Sequence, residues 1–99
     1  MKLDIQSVHF DADQKLLDFL QKKADKLDQY FDKILFGEVF LRLDQAEALN
    51  NKIVEVKLDV PGNSLFVKKQ NKSFEEAADE AFEALRKQVM KAKEKMRSH

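Results

Sequence analysis

The sequence has no cysteine, one proline, two glycines and two histidines among its 99 residues. The lack of cysteine excludes disulfides, thiol nucleophiles and thiolate metal sites, and it agrees with a cytoplasmic location. Two glycines cannot form a glycine-rich phosphate loop. His9 and His99 lie far apart in sequence and show no metal-ligand spacing. We therefore expect a protein that is not an enzyme and that uses no metal, no cofactor and no small-molecule substrate.

The chain also lacks net charge and long apolar runs. Its 18 basic and 18 acidic side chains cancel, so bulk charge alone is not expected to attract nucleic acid. No run approaches the roughly 18 apolar residues of a membrane helix, and the N-terminus has no apolar signal core. We expect no membrane contact. With 43% hydrophobic residues, the chain can bury a core, and residues 1–99 are expected to form a single domain.

The last quarter of the chain predicts an amphipathic helix from Ser73 to Arg97. Ser73 and Glu76 form a capping box, in which the hydroxyl accepts from the Glu76 amide and the carboxylate accepts from the Ser73 amide. Apolar residues recur every three or four positions, which places them on one face. They are Phe74, Ala78, Ala81, Leu85, Val89, Ala92 and Met96.

Charge is sorted along this helix, with acids in the first half and bases in the second. The dipole of a helix favours this order, but it accounts for only one or two cations in the last turn. On the residues alone, two interpretations stay open: a solvated face, or a local phosphate-binding patch on a neutral protein. The acids are Glu75, Glu76, Asp79, Glu80 and Glu83, and the bases are Arg86, Lys87, Lys91, Lys93, Lys95 and Arg97.

An earlier helix is predicted over roughly residues 12–34, with Asp11 and Gln14 as its capping signal. Tyr30 and Phe31 close it and are candidate core residues. Its polar side carries a line of lysines at Lys22, Lys26 and Lys33, with Lys23 beside them and aspartates interleaved.

Four segments alternate apolar and polar residues, as half-buried strands do. Pro61-Gly62 predicts a tight turn, because proline presets φ and glycine accepts positive φ. Phe40 and Phe66 fall opposite the aliphatic set, where they either cover each other on adjacent strands or form a base-stacking platform. The segments cover about residues 2–8, 38–44, 54–60 and 65–70.

The element order β-α-β-β-β-α predicts an α+β fold, with a four-stranded mixed sheet and both helices packed on one face. The crossover through the first helix makes the first two strands parallel, and short connections make the other pairs antiparallel.

Several segments share their order and spacing with one family: MKLDI at the N-terminus, HF at 9–10, KADKLDQYFD at 23–32, VPG at 60–62, SFEEAAD at 73–79 and LRKQVMKAKEK at 85–95. The chain thereby resembles the ribosome hibernation promoting factors, also called ribosome-associated inhibitors or sigma-54 modulation proteins. The resemblance covers nearly the whole chain and implies the same β-α-β-β-β-α fold. It implies a protein that binds the small ribosomal subunit and 16S rRNA in the channel for messenger and transfer RNA, and that inhibits translation in stationary phase or stress.

The resemblance also implies RNA contacts by position. The basic positions of the family fall on Lys23 and Lys26 in the first helix and on Lys87, Lys91, Lys93 and Lys95 in the second. Arg86 stands where an acid is common in the family. Val8, Gln29 and Ala84 stand where the family often has a base. If the helices run side by side, Lys22 borders the same groove. The predicted rRNA-binding set is Lys22, Lys23, Lys26, Arg86, Lys87, Lys91, Lys93 and Lys95.

The chain stops at His99, so it is expected to lack the second domain with which long family members pair two ribosomes. We expect a monomer away from the ribosome. Two other classes fit the residues. A double-stranded RNA-binding module would bind free duplex RNA well. A protein-interaction module acting on a sigma factor would bind with little dependence on salt.

Overall fold

The computed structural model describes residues 1–97 of the chain and the side chains of residues 1–95. Met96, predicted on the apolar stripe, and Arg97, predicted in the basic end, have side chains outside this part, and Ser98 and His99 lie outside it altogether. The elements are β1 (Leu3–Ser7), α1 (Gln14–Tyr30), β2 (Phe36–Leu43), β3 (Lys52–Val60), β4 (Asn63–Asn71) and α2 (Phe74–Arg97).

The four strands form one sheet in the order β1-β2-β3-β4. The β1 strand is parallel to β2, with Leu3 opposite Gly37, and the other two pairs are antiparallel. This arrangement confirms the predicted α+β fold with a mixed sheet and two helices. The Pro61-Gly62 turn between β3 and β4 is also as predicted, since Gly62 has a φ of 75°.

The core lies between one face of the sheet and the two helices. Among the described residues, no polar or charged side chain is buried. Each aliphatic side chain buried in this way contributes about 1.5–3 kcal/mol from removal of apolar surface from water. The largest fully buried side chains are Leu20 of α1, Val39 and Leu41 of β2, Val54, Val56 and Leu58 of β3, and Leu85 and Val89 of α2.

The first helix begins later than predicted. Asp13, not Asp11, is its N-cap, with extended backbone angles (φ −75°, ψ 164°) and a carboxylate that accepts from the Leu16 amide at 2.9 Å. An N-cap must precede its free amides by two or three residues. Because the helix starts at Gln14, Asp11 lies too far upstream to reach them.

The first helix also ends at Tyr30, well before the predicted end at Ile34. Phe31 is extended (φ −156°, ψ 109°), and its amide donates to the Leu27 carbonyl at 3.3 Å. Phe31 and Ile34 are nevertheless buried, with 5% and 9% exposure. They reach the core from the connection into β2, and apolar spacing alone does not distinguish such a connection from another helical turn. Lys33 therefore lies outside the helix and not on the predicted line of lysines.

The capping box of α2 forms with one change in its geometry. The Glu76 amide donates to the Ser73 hydroxyl oxygen at 3.1 Å, as predicted. The Glu76 carboxylate accepts from that same hydroxyl at 3.2 Å rather than from the Ser73 amide. The start of α2 is fixed in either case.

The two helices run side by side in the same direction. Lys23 of α1 pairs with Asp79 of α2, and about two turns further along both helices, Tyr30 faces Arg86. Because α1 ends at Tyr30 while α2 continues to Arg97, the second half of α2 extends beyond the end of its neighbour. This overhang carries four of the eight predicted RNA-binding residues, Lys87, Lys91, Lys93 and Lys95.

Candidate RNA-binding surface

A row of three exposed lysines lies along the overhanging half of α2. Lys87, Lys91 and Lys95 are exposed, and their spacing of four residues places each about 6 Å beyond the last on one side of the helix. Lys87 and Lys91 enter no ion pair or hydrogen bond with the described residues. We call these three residues the lysine row.

Lys93 faces α1 instead. It is half-buried, and its Nζ donates to the carbonyl oxygen of Tyr30, the last residue of α1, at 3.3 Å. Carbonyls at a helix C-terminus have no partner within the helix and carry partial negative charge. Lys93 therefore has a structural task in joining the helices, in addition to any contact with RNA.

A groove of about 120 Å³ lies between the helices beside the lysine row. Lys23 and Lys26 border it from α1, and Arg86 borders it from α2. Tyr30 is 37% exposed, and the guanidinium carbon of Arg86 lies 5.9 Å from the centre of its ring. The remaining lining residues are Leu27, Asp79, Phe82 and Glu83.

Two carboxylates neutralise cations within this groove. Asp79 pairs with Lys23 across the helices. Glu83 accepts from the Arg86 guanidinium at 2.6 and 3.2 Å. The hydrogen bond from Arg86 holds the pKa of Glu83 below its ordinary value, and the charges of Lys87 and Lys26 act in the same sense. The same bond raises the pKa of Arg86.

The structure thus brings together most of the predicted set but not all of it. Lys23, Lys26 and Arg86 meet at the groove. The lysine row begins next to it at Lys87, whose positive charge acts on the Glu83 carboxylate in the groove. Lys22 is different. It is exposed and lines a separate depression with Lys15, Asp18, Phe19 and Glu75, so the prediction that Lys22 borders the same groove is wrong.

Sequence reasoning missed three residues of the groove. Tyr30 was expected in the core, but its ring lies at the surface because α1 ends there. Asp79 and Glu83 were expected only to suit the helix dipole. The spacing of Glu83 and Arg86, three residues apart on a helix, is a signal that could have identified their pairing.

The outer face of the sheet does not match the first interpretation of its aromatic residues. Phe40 lies opposite Glu55 in the register of β2 and β3, whereas Phe66 lies opposite Lys57 in that of β3 and β4. Because β3 separates them, they do not cover each other. Arg42 lies over Phe40 instead, 5.5 Å from the ring centre. Phe66 is 55% exposed, and the base-stacking interpretation stays a prediction.

The described part of the chain meets the requirements of neither a metal-binding cluster nor a membrane-spanning helix. Among residues 1–97, no cluster of histidine, cysteine, aspartate or glutamate could hold a metal ion. Within the same residues, neither helix has the length and apolar character needed to span a bilayer. His9 is exposed and has a φ of 67°, as expected for a turn residue after β1.

In sequence, the chain is similar to one group of known proteins. The family model described as sigma 54 modulation protein / S30EA ribosomal protein matches residues 3–97. A ribosome hibernation promoting factor of Pseudomonas putida is 30% identical over 98 residues, which cover 99% of this chain and 92% of that protein. A ribosome hibernation promoting factor of Escherichia coli K12 is 26% identical over 99 residues, 100% of each chain.

The fold is similar to solved structures from two further organisms. A ribosomal subunit interface protein from Coxiella burnetii superposes with a TM-score of 0.84 at 18% identity, over 94% of this chain and 98% of the other. This likeness concerns the fold alone. The N-terminal domain of Protein Y from Thermus thermophilus superposes with a TM-score of 0.74 at 26% identity, over 88% of this chain and 91% of the other.

Proposed function

The chain belongs to the sigma-54 modulation and S30EA ribosomal protein family, and from this premise we propose that it is a ribosome hibernation factor. It binds the small ribosomal subunit through 16S rRNA, in the channel for messenger and transfer RNA, and so inhibits translation in stationary phase or stress. Residues 1–99 act as one ribosome-binding domain in the cytoplasm. The role is regulatory and not enzymatic.

The observation that carries the proposal is the lysine row beside the groove. Exposed cations that the fold leaves unpaired are free to meet phosphates, whereas paired cations must first give up a partner. Lys87 and Lys91 are unpaired within the described residues. Together with Lys95 they present positive charge along one side of an overhanging helix.

The dipole of α2 does not explain Lys87 and Lys91, the first two residues of this row. Its effect falls off within the last turn of a helix, and α2 ends at Arg97. Lys87 lies more than two turns, roughly 15 Å, before that end. A helix that needed cations only for its own stability would not require one there.

Co-sedimentation with isolated ribosomal subunits tests the proposal. Purified protein is mixed with small subunits, with large subunits or with free duplex RNA, and each mixture is centrifuged through a sucrose gradient. We expect co-migration with the small subunit, and competition by messenger and transfer RNA. Binding to duplex RNA in preference to the subunit would indicate a double-stranded RNA module. Failure to bind either subunit would refute the proposed function.

A further inference from the structure

We propose that Glu83 is a specificity-determining residue that holds the Arg86 guanidinium away from non-cognate phosphates. The inference rests on the proposed function, since it concerns the same RNA-binding surface. In this proposal the acid does more than reduce the local positive charge, because it bonds one particular base of the surface. Glu83 acts through Arg86 and is therefore a positioning residue.

The geometry places both nitrogen donors of this contact on one carboxylate. Arg86 donates from Nε to one oxygen of Glu83 at 3.2 Å and from an Nη to the other at 2.6 Å. This is the bidentate arrangement that a guanidinium would also offer to a phosphate. The carboxylate thus occupies one of the two edges of the Arg86 guanidinium that can hold a phosphate with two hydrogen bonds.

The position of the guanidinium is further defined by Tyr30. Arg86 lies near the Tyr30 ring, with 5.9 Å between the guanidinium carbon and the ring centre. Asp79 repeats the pattern one turn earlier on α2, where it pairs with Lys23 of α1. Both acids line the groove, so two of its three cations, Lys23 and Arg86, are neutralised in the free protein, while Lys26 of the groove and Lys87 and Lys91 of the row are not paired within the described residues.

The competition between carboxylate and phosphate decides what Glu83 does. An exposed ion pair is weak, and side chains of Glu83 and Arg86 are 55% and 35% exposed. An RNA that already engages the lysine row can therefore displace Glu83. An RNA that meets the groove alone must either separate the pair or bind the remaining edge of the guanidinium. In both cases its phosphate lies near the Glu83 carboxylate, and the two negative charges repel each other. Glu83 thereby penalises weak, non-cognate contacts more than cognate binding.

The test compares Glu83→Gln with Glu80→Gln, using polyuridylate and purified small subunits as the two probes. Both changes remove one negative charge from α2, but Glu80 bonds Asn71 and not a cation. We expect Glu83→Gln to tighten polyuridylate binding roughly three- to tenfold, and Glu80→Gln to change it less than twofold. Affinity for the small subunit should rise by a smaller factor. The ratio of small-subunit affinity to polyuridylate affinity therefore falls in Glu83→Gln.

Two further readouts separate positioning from a general effect of charge. The gain in affinity from Glu83→Gln should disappear when Arg86→Gln is already present. This double-mutant cycle isolates the coupling of the two residues. The dependence of log affinity on log salt should steepen by about 0.7, because one more cation meets a phosphate.

Equal gains from both glutamate variants, no gain from Glu83→Gln, or a gain that persists with Arg86→Gln would each overturn the inference. Failure of the parent protein to bind small subunits would instead overturn the proposed function, and the polyuridylate comparison would still decide the role of Glu83.

Discussion

The two halves of α2 bury one continuous apolar stripe but use their charges in different ways. In the first half, four acids form a hydrogen bond or an ion pair within the fold: Glu76 with Ser73, Asp79 with Lys23, Glu80 with Asn71 and Glu83 with Arg86. In the second half, Lys87 and Lys91 bond none of the described residues. Charge in the first half therefore serves the fold, while Lys87 and Lys91 in the second half are available to a partner.

The stripe that both halves share should carry the largest effect on stability. Leu85 lies where the halves meet and is fully buried, with 0% exposure. Leu85→Ala removes apolar contacts and leaves a cavity under the helix, which costs about 2–5 kcal/mol of unfolding free energy. In a domain of this size, the melting temperature should fall by roughly 10 °C or more.

Met90→Ala is the matched control, because Met90 lies on the same helix but is 37% exposed. Its truncation should change the melting temperature much less. Thermal unfolding followed by circular dichroism measures both variants. A melting temperature of Leu85→Ala within a degree or two of the parent would mean that Leu85 does not hold α2 on the sheet.

The lysine row should carry the largest effect on binding. Replacing Lys87, Lys91 and Lys95 together with glutamine should lower affinity for the small subunit by a few kcal/mol, at about 1 kcal/mol or more for each lost phosphate contact. Folding should be preserved, because glutamine has a helix propensity similar to that of lysine and these positions avoid the stripe. Co-sedimentation and thermal unfolding measure the two quantities on the same preparations.

The acidic half provides the control for this variant. Glu75, Glu76 and Glu80 changed together to glutamine should weaken the capping box and the favourable dipole interactions, at a cost of about 1 kcal/mol in stability. Affinity for the small subunit should hardly change. Equal loss of binding from the two triple variants would falsify the proposed division of α2.

Salt dependence sharpens the comparison further. Because lysines that meet phosphates release bound counterions, affinity for the small subunit should fall steeply as salt rises. The lysine triple variant should show a slope of log affinity against log salt that is shallower by roughly 2 to 3, while the glutamate triple variant should keep the slope of the parent. Filter binding at a series of salt concentrations gives these slopes, and an affinity that does not respond to salt would contradict an electrostatic site.

The stripe and the strands could be predicted from sequence because burial imposes a period on the residues. Apolar alternation located β2, β3 and β4, and the 3–4 residue spacing located α2. The same rule overextended α1, since Phe31 and Ile34 are buried in a connection that has left the helix. Periodicity reports which side chains are buried and not which backbone conformation carries them.

The groove was harder to predict, because it depends on how the two helices align. Residue types alone suggested a groove lined by lysines, including Lys22. The parallel alignment instead places Lys23 beside Asp79 and leaves Lys22 in a different depression. Which charges face each other across helices follows from a shift of a few ångströms in packing, and a single sequence does not encode that shift in any local pattern.

The smallest effect is expected at the boundary of the two halves, where Glu83 of the acidic half bonds Arg86 of the basic half. The pKa of Glu83 is lowered chiefly by this hydrogen bond. A carboxylate with a lowered pKa in the folded state stabilises the fold above its ordinary pKa, and this contribution is lost as pH falls through the lowered value. In an NMR titration, the midpoint of Glu83 should therefore lie below that of an ordinary glutamate and should move up in Arg86→Gln.

Because the pair is exposed, high salt should reduce the shift of this midpoint without unfolding the protein. A midpoint that is the same with and without Arg86 would mean that the acid and the base are not coupled.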